Sequence, residues 1–345
     1  MTTLSGNKDI IVSVVMPIYN EERYIHGCIE SLLTQSYPKD KMEWIFVDGM
    51  SKDRTVEIVS GYKEKYPDLI KVLENEMRIA PSAMNIGISA ARGQYIVRLD
   101  AHADYDKDYI TKCVKYLDET DADNVGGIAE TKSKGFIGNV IAKVLSTKFG
   151  VGNSKFRING ESGYVDTVPF GAFRREVFKR LGGYDERLVR NQDNEMNYRI
   201  RKNGGKIYLA NDIRFSYYCR DTVSSFGKYA LNNGKWNIIT MHLCPGTMGA
   251  RHFIPFLFVL SLLSLPIMSA YLRDDVSIVF ALELLLYALL DAWYSFRSAN
   301  SVKEFFLLCG LFPFFHISYG MGSFWGMVEL LKGKYREEGY RPVKI

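Results

Sequence analysis

The sequence predicts an α/β domain on a mostly parallel sheet, followed by an interfacial helix and C-terminal transmembrane helices. Three observations carry this. Strand-like and helix-like segments alternate four times with short joins over the first hundred residues, the pattern of βαβ units. The polar residues of that stretch fall after the strands, where ligands bind in such sheets. Beyond about residue 245 the mix of charged and apolar residues gives way to long apolar runs.

The elements read in order. Residues 10–16 form a continuous β-branched run closed by Pro17, the signature of a buried parallel strand. Ile25, Ile29, Leu32 and Leu33 recur at helical spacing. Residues 44–47 are a second strand ending at Asp48-Gly49, and Ser51 or Asp53 is a plausible N-cap for the helix behind it. Residues 70–73 are a short strand. Residues 81–91 are a helix with Pro81 at its start and Gly93 past its end. Residues 95–99 form a fourth strand ending at Asp100. Residues 124–215 are less regular, with strands expected at 125–129 and 164–170, helices at 174–181 and 194–202, and a Gly-rich mobile loop at 150–163.

The domain organisation follows: a cytoplasmic α/β domain over 1–221, an amphipathic interfacial helix region over 222–250, a membrane region over 251–331 and a basic tail over 332–345. The helix expected at 222–243 mixes Phe226, Tyr229 and Trp236 with Lys228 and Lys235; a core-packing helix is the alternative. Spans are expected at 253–272, flanked by Arg251 and Arg273, and at 276–296, where Glu283 and Asp291 should face neighbouring helices. The segment 305–331 is long for one crossing and holds Pro313, His316, Gly320, Gly322 and Gly326. The tail carries Lys332, Lys334, Arg336, Arg341 and Lys344 against Glu337 and Glu338. Three crossings from a cytoplasmic start would leave that tail outside, against the positive-inside tendency. The favoured reading is a re-entrant pair of half-helices hinged between residues 313 and 320.

Composition excludes several classes. A net charge of +5 on 345 residues is too small to argue for nucleic acid, while it suits an anionic membrane face. The five cysteines lack paired spacing, so no disulfide or zinc framework is expected, and the thiols read as inert. No apolar signal-peptide core opens the chain, so the first domain is expected in the cytoplasm. No G-x-G-x-x-G follows the first strand, which argues against a dinucleotide enzyme.

Asp100-Ala101-His102 sits at a strand end, where residues two apart in an extended chain face one side and can meet a divalent cation on phosphates. An isolated D-x-H is more often a solvated turn; its position on the ligand edge favours the metal. Pro17–Glu22 follows the first strand, and residues 47–55 follow the second.

Together these segments resemble the family 2 glycosyltransferases, whose fold is called GT-A, a Rossmann-like nucleotide-diphospho-sugar transferase fold. The resemblance covers roughly residues 10–240. It runs through P-x-Y-N-E-E (Pro17 to Glu22), D-G-x-S-x-D-x-T (Asp48 to Thr55), residues 80–93 with Asn85 and Gly87, and R-L-D-A-H-A (Arg98 to Ala103). The last run most resembles the succinoglycan-type exopolysaccharide subgroup, which also carries C-terminal membrane segments.

The family implies that Asp48 binds the nucleobase, that Pro17, Tyr19, Asn20, Glu21, Arg78, Asn85 and Asp100 line the donor site, and that Asp100 and His102 hold Mg2+ or Mn2+. His102 stands where many relatives have Asp, which gives Mn2+ some ground, and Asp104 could share the role. The base is implied at Asp193, in Gln192-Asp193, with an N-cap role as its bland alternative. Lys235-Trp236 resembles the end of a Q-x-x-R-W motif and is expected as a donor contact, with interface packing by Trp236 equally open. The resemblance implies an inverting transferase taking a UDP-sugar, or GDP-mannose, to a lipid-linked saccharide among membrane lipids, with no nucleic acid partner. A polyprenyl-phosphate (or dolichyl-phosphate) sugar synthase and a non-catalytic membrane scaffold are the competing readings. A channel is disfavoured because the membrane part is too small.

Overall fold

The structure is a computed structural model and describes residues 9–271, 274–335, 343 and 345. It divides into two compact units: residues 1–130, 159–217 and 339–345 in the first, and 131–158 with 218–338 in the second. Arg273 and the tail residues Arg336, Glu337, Glu338, Arg341 and Lys344 lie outside the described residues.

The chain opens with β1 (Val12–Ile18), α1 (Ile25–Leu33), β2 (Met42–Asp48), α2 (Thr55–Lys65), β3 (Ile70–Glu74), α3 (Ala80–Ala90) and β4 (Tyr95–Arg98). It continues through β5 (Ala103–Tyr105), α4 (Tyr109–Glu119) and β6 (Asn124–Lys132) to two helices of the second unit, α5 (Gly135–Val144) and α6 (Lys148–Val151). Next come β7 (Gly163–Tyr164), β8 (Ala172–Arg174), α7 (Arg175–Leu181), α8 (Gln192–Lys202) and β9 (Ile207–Tyr218). The remaining helices are α9 (Val223–Leu243), α10 (Ile254–Tyr271), α11 (Asp274–Ser298) and α12 (Val302–Leu331).

The strand order is β3-β2-β1-β4-β8-β6-β9-β5, with β7 on β9. The four strands expected from the alternation pair in parallel, with Ile18 opposite Asp48 and Val15 opposite Arg98. The β8–β4, β8–β6, β5–β9 and β7–β9 pairs run antiparallel, so the sheet is mixed beyond β4. Val14, Val15 and Met16, with Ile45, Phe46 and Val47, are fully buried; each such side chain stabilises the fold by roughly 1.5–3 kcal/mol. The continuous apolar runs follow from having both faces covered.

Four expectations change. The strand expected at 164–170 pairs only over Gly163–Tyr164. Residues 131–158 are no part of the first unit: Val140, Ile141 and Val144 pack with Phe226, Leu308, Phe312 and Phe315 instead. Part of the expected mobile loop is helix, α6. The third apolar segment is no pair of half-helices; α12 runs unbroken through Pro313.

In the second unit, three helices among the described residues are long and apolar enough to cross a membrane, at Ala250–Ala270, Asp275–Ser298 and Val302–Leu331. Two of their carboxylates meet hydroxyl partners. Ser261 Oγ donates to Glu283 Oε1 at 2.5 Å, and Ser295 Oγ donates to Asp291 Oδ1 at 3.3 Å.

Candidate active site

The parallel strands deliver the site residues to one edge, because β1, β2 and β4 all end there. Several loops of this unit hold an unusual backbone. Asn20, Met50, Arg78, Phe170 and Asn191 have positive φ, a conformation costly for side chains other than glycine and concentrated at functional sites.

The loops after β1 and β2 are clipped together. Asn20 N–H donates to Ser51 Oγ at 2.9 Å, and Lys52 N–H donates to Asn20 Oδ1 at 2.9 Å. Glu21 N–H donates to Thr55 Oγ1 at 2.7 Å, and Glu22 N–H to Asp53 Oδ2 at 3.1 Å. Burial works upward on the Asp53 carboxyl, but the bonds from Thr55 and Glu22 prevail and hold it below its ordinary value. Pro17 lies within β1, and Tyr19 is exposed at the mouth of this turn. Asp48 is buried; its carboxylate accepts from Ser51 Oγ at 2.5 Å and Ser51 N–H at 3.0 Å. A carboxylate has about four acceptor positions, so capping its own turn leaves capacity for a ligand.

Asp100-Ala101-His102 forms a turn, so the two side chains meet by the chain bending and not by extended alternation. Asp100 N–H donates to Tyr105 Oη at 2.7 Å, closing that turn. Asp100 Oδ2 lies 4.0 Å from His102 Nε2, and His102 Nδ1 lies 3.3 Å from Glu21 Oε1. Two donors on one Mg2+-sized ion, each at about 2.1 Å, stand roughly 3–4.2 Å apart, so this pair fits a divalent cation. A carboxylate on the second imidazole nitrogen is the usual companion of a metal-binding histidine. Among the described residues no group of three or more His, Cys, Asp or Glu could hold an ion. The Asp100–His102 pair offers two protein donors at this strand end. Asp104 stands in β5 opposite Ser216.

Arg98 was quoted in its motif but given no role by the sequence. It is buried, and its Nη1 donates to Asp193 Oδ1 while Nη2 sits 3.7 Å from Asp100 Oδ1. Its guanidinium also lies 5.5 Å from the Phe170 ring centroid. One buried cation thus draws the expected metal anchor and the expected base to the same point. The signal available in the sequence was an arginine inside an apolar strand, which requires carboxylate partners. Asp193 is inside the first turn of α8; the residue at the N-cap is Asn191, so the bland capping role does not describe it.

Asn85 serves as a tether. Its Oδ1 accepts Tyr184 N–H at 2.7 Å, while its Nδ2 donates to Tyr184 O at 3.0 Å and Glu186 Oε1 at 2.9 Å. Lys235 and Trp236 belong to the second unit. Lys235 Nζ lies 4.4 Å from the Trp325 ring centroid and 3.5 Å from Glu329, and Trp236 packs on Tyr335. Burial is the main force pushing the Cys28 and Cys113 thiols up, which makes them unreactive.

Residues 13–182 match the family model for Glycosyl transferase family 2, so the chain carries a domain of that family of enzymes. Among its relatives is the dolichyl N-acetyl-alpha-D-glucosaminyl phosphate 3-beta-D-2,3-diacetamido-2,3-dideoxy-beta-D-glucuronosyltransferase of Methanococcus voltae. It is 29% identical over 261 residues, 74% of this chain and 80% of the relative. Succinoglycan biosynthesis protein ExoA of Rhizobium meliloti is 31% identical over 209 residues, 60% of this chain and 63% of its own length. The mannosyltransferase PcManGT of Pyrobaculum calidifontis, solved with GDP-Man and Mn2+, superposes with a TM-score of 0.64 at 19% identity. The match covers 91% of this chain and 87% of that one, and it shows the GT-A fold.

Proposed function

We propose that this chain is an inverting, metal-dependent glycosyltransferase. It moves a sugar from a nucleotide-sugar to a lipid-linked saccharide at a membrane, with the catalytic unit in the cytoplasm. The observation that carries the reading is the convergence of Asp100 and Asp193 on Arg98. Asp48 reads the nucleobase, with the Pro17–Glu21 turn beside it. Arg78 borders the donor, and Asn85 holds the Tyr184–Glu186 loop in place. Asp193 accepts the proton of the acceptor hydroxyl as that oxygen attacks the anomeric carbon, and one in-line displacement inverts the configuration. Asp100 and His102 would hold Mn2+ or Mg2+, which would supply positive charge to the departing diphosphate.

A saccharide on a lipid carrier is favoured as acceptor because the M. voltae relative is named for a dolichyl-phosphate-linked sugar. UDP-sugars are the expected donors, with GDP-mannose the alternative in view of the PcManGT complex. The test is a panel of nucleotide-sugars scored by nucleoside diphosphate release, with and without Mn2+, using either polyprenyl phosphate or a lipid-linked sugar as acceptor. Transfer to the lipid-linked sugar, lost on chelation, is expected. Transfer to bare polyprenyl phosphate instead would mark a lipid-phosphate sugar synthase, and no release with any donor would overturn the reading.

A further inference from the structure

The three apolar helices of the second unit differ in what surrounds them. Only 6% of the apolar stretch of α10, and of α11, is buried, against 39% in α12. On α12 the exposed residues form one stripe at helical spacing: Phe306, Phe314, Ile317, Met321, Trp325 and Val328. The opposite face is packed, and α9 runs alongside it in the same direction. Phe226 stacks on Phe315, a Cβ on Gly322 would meet the Leu231 carbonyl, and one on Gly326 would meet Lys235 and Ile238. So α9 and the C-terminal half of α12 share one tilt.

That shared tilt limits where α12 can lie. α9 carries Lys228, Asn232, Asn233, Lys235 and Asn237, and Lys228 is exposed. Carrying α9 into hydrocarbon would take the exposed ammonium of Lys228 out of water with it, which is expensive for an unpaired charge at depth. A stripe confined to one face, with exposed Lys303 and Lys332 at the two ends, is the pattern of a helix lying on a bilayer with its lysines reaching for headgroups. We infer that α12 lies along the membrane surface, with its Phe306–Val328 stripe turned into the lipid and both ends on one face, while α10 and α11 cross as a hairpin. The occupant of the stripe is the bilayer, continuous with the lipid around α10 and α11.

The test uses the full chain in sealed membrane vesicles. Nitroxide labels are placed one at a time by Phe306→Cys, Phe314→Cys, Met321→Cys and Val328→Cys, and depth is read from oxygen against nickel-chelate collisions. A crossing helix would change depth by roughly 33 Å over those 22 residues, whereas the in-plane helix keeps all four within a few ångströms and in contact with lipid. A graded depth, or labels shielded from oxygen by a second copy, overturns the inference. Independently, tags before Met1 and after Ile345 should be cleaved from the same face, with Ser277→Cys labelled from the other. A C-terminal tag on the Ser277→Cys face overturns it as well.

Discussion

Replacing Asp193 by Asn tests the site most directly, because the side chain keeps its shape and loses only charge and basicity. Two consequences follow from its surroundings. As a proton acceptor its removal should lower kcat by about 10²–10⁴-fold, or about 2.7–5.5 kcal/mol of barrier. As a partner of buried Arg98 its removal leaves that cation facing Asp100 alone at 3.7 Å. Asp193 is partly exposed, so solvent screens this loss, and about 1–2 kcal/mol of stability is the expected cost. For a unit of this size that lowers Tm by a few degrees. The assay pairs initial rates of nucleoside diphosphate release with a thermal melt of the detergent-solubilised chain. Asp193→Glu should retain more activity than Asp193→Asn at similar stability. A kcat for Asp193→Asn within about threefold of the parent, at a temperature where both are folded, would refute the assignment of the base.

Four further outcomes are expected. His102→Asp should shift the preference from Mn2+ towards Mg2+, and Glu21→Gln should weaken Mn2+ binding, read by paramagnetic resonance without donor, by roughly 10-fold or more. Asn85→Ala should cost roughly 1–3 kcal/mol, because it strands the Tyr184 backbone and Glu186, and should raise proteolysis near Gly183. Glu43→Gln should destabilise the fold at neutral pH and flatten its acid limb. Burial works upward on the Glu43 carboxyl, but Lys71, Ser13 and Arg92 hold it below the ordinary carboxylate value. A depressed folded value means its stabilisation is complete above the unfolded pKa near about 4.3 and fades as pH falls through the folded value. The parent should therefore lose Tm below about pH 5 more steeply than Glu43→Gln, and parallel acid limbs would contradict this.

Much of the fold was legible in the chain because its signals are local. A parallel strand covered on both faces must be mostly apolar, as residues 14–18 and 44–47 are, and the short joins mark out β1 to β4 without any long-range information. The antiparallel half was harder to read. β9 is twelve residues long, and Asn211-Asp212 breaks its apolar pattern midway, so no single alternation runs its whole length. Lys112 Nζ, donating to Asp212 O, and Arg214, paired with Glu130, satisfy those polar groups from elsewhere in the fold.

The sequence by itself determined the family, the ligand edge of the sheet and the residue types at each strand end, since these rest on contiguous motifs. Tertiary structure alone decided which of those residues lie together. Arg98 and Asp193 are 95 positions apart, and Glu21 and His102 are 81 apart, so no spacing rule connects them. The same holds for α12. Its composition matches a crossing helix, and only the parallel packing of polar α9 along it reveals a face that composition could not assign.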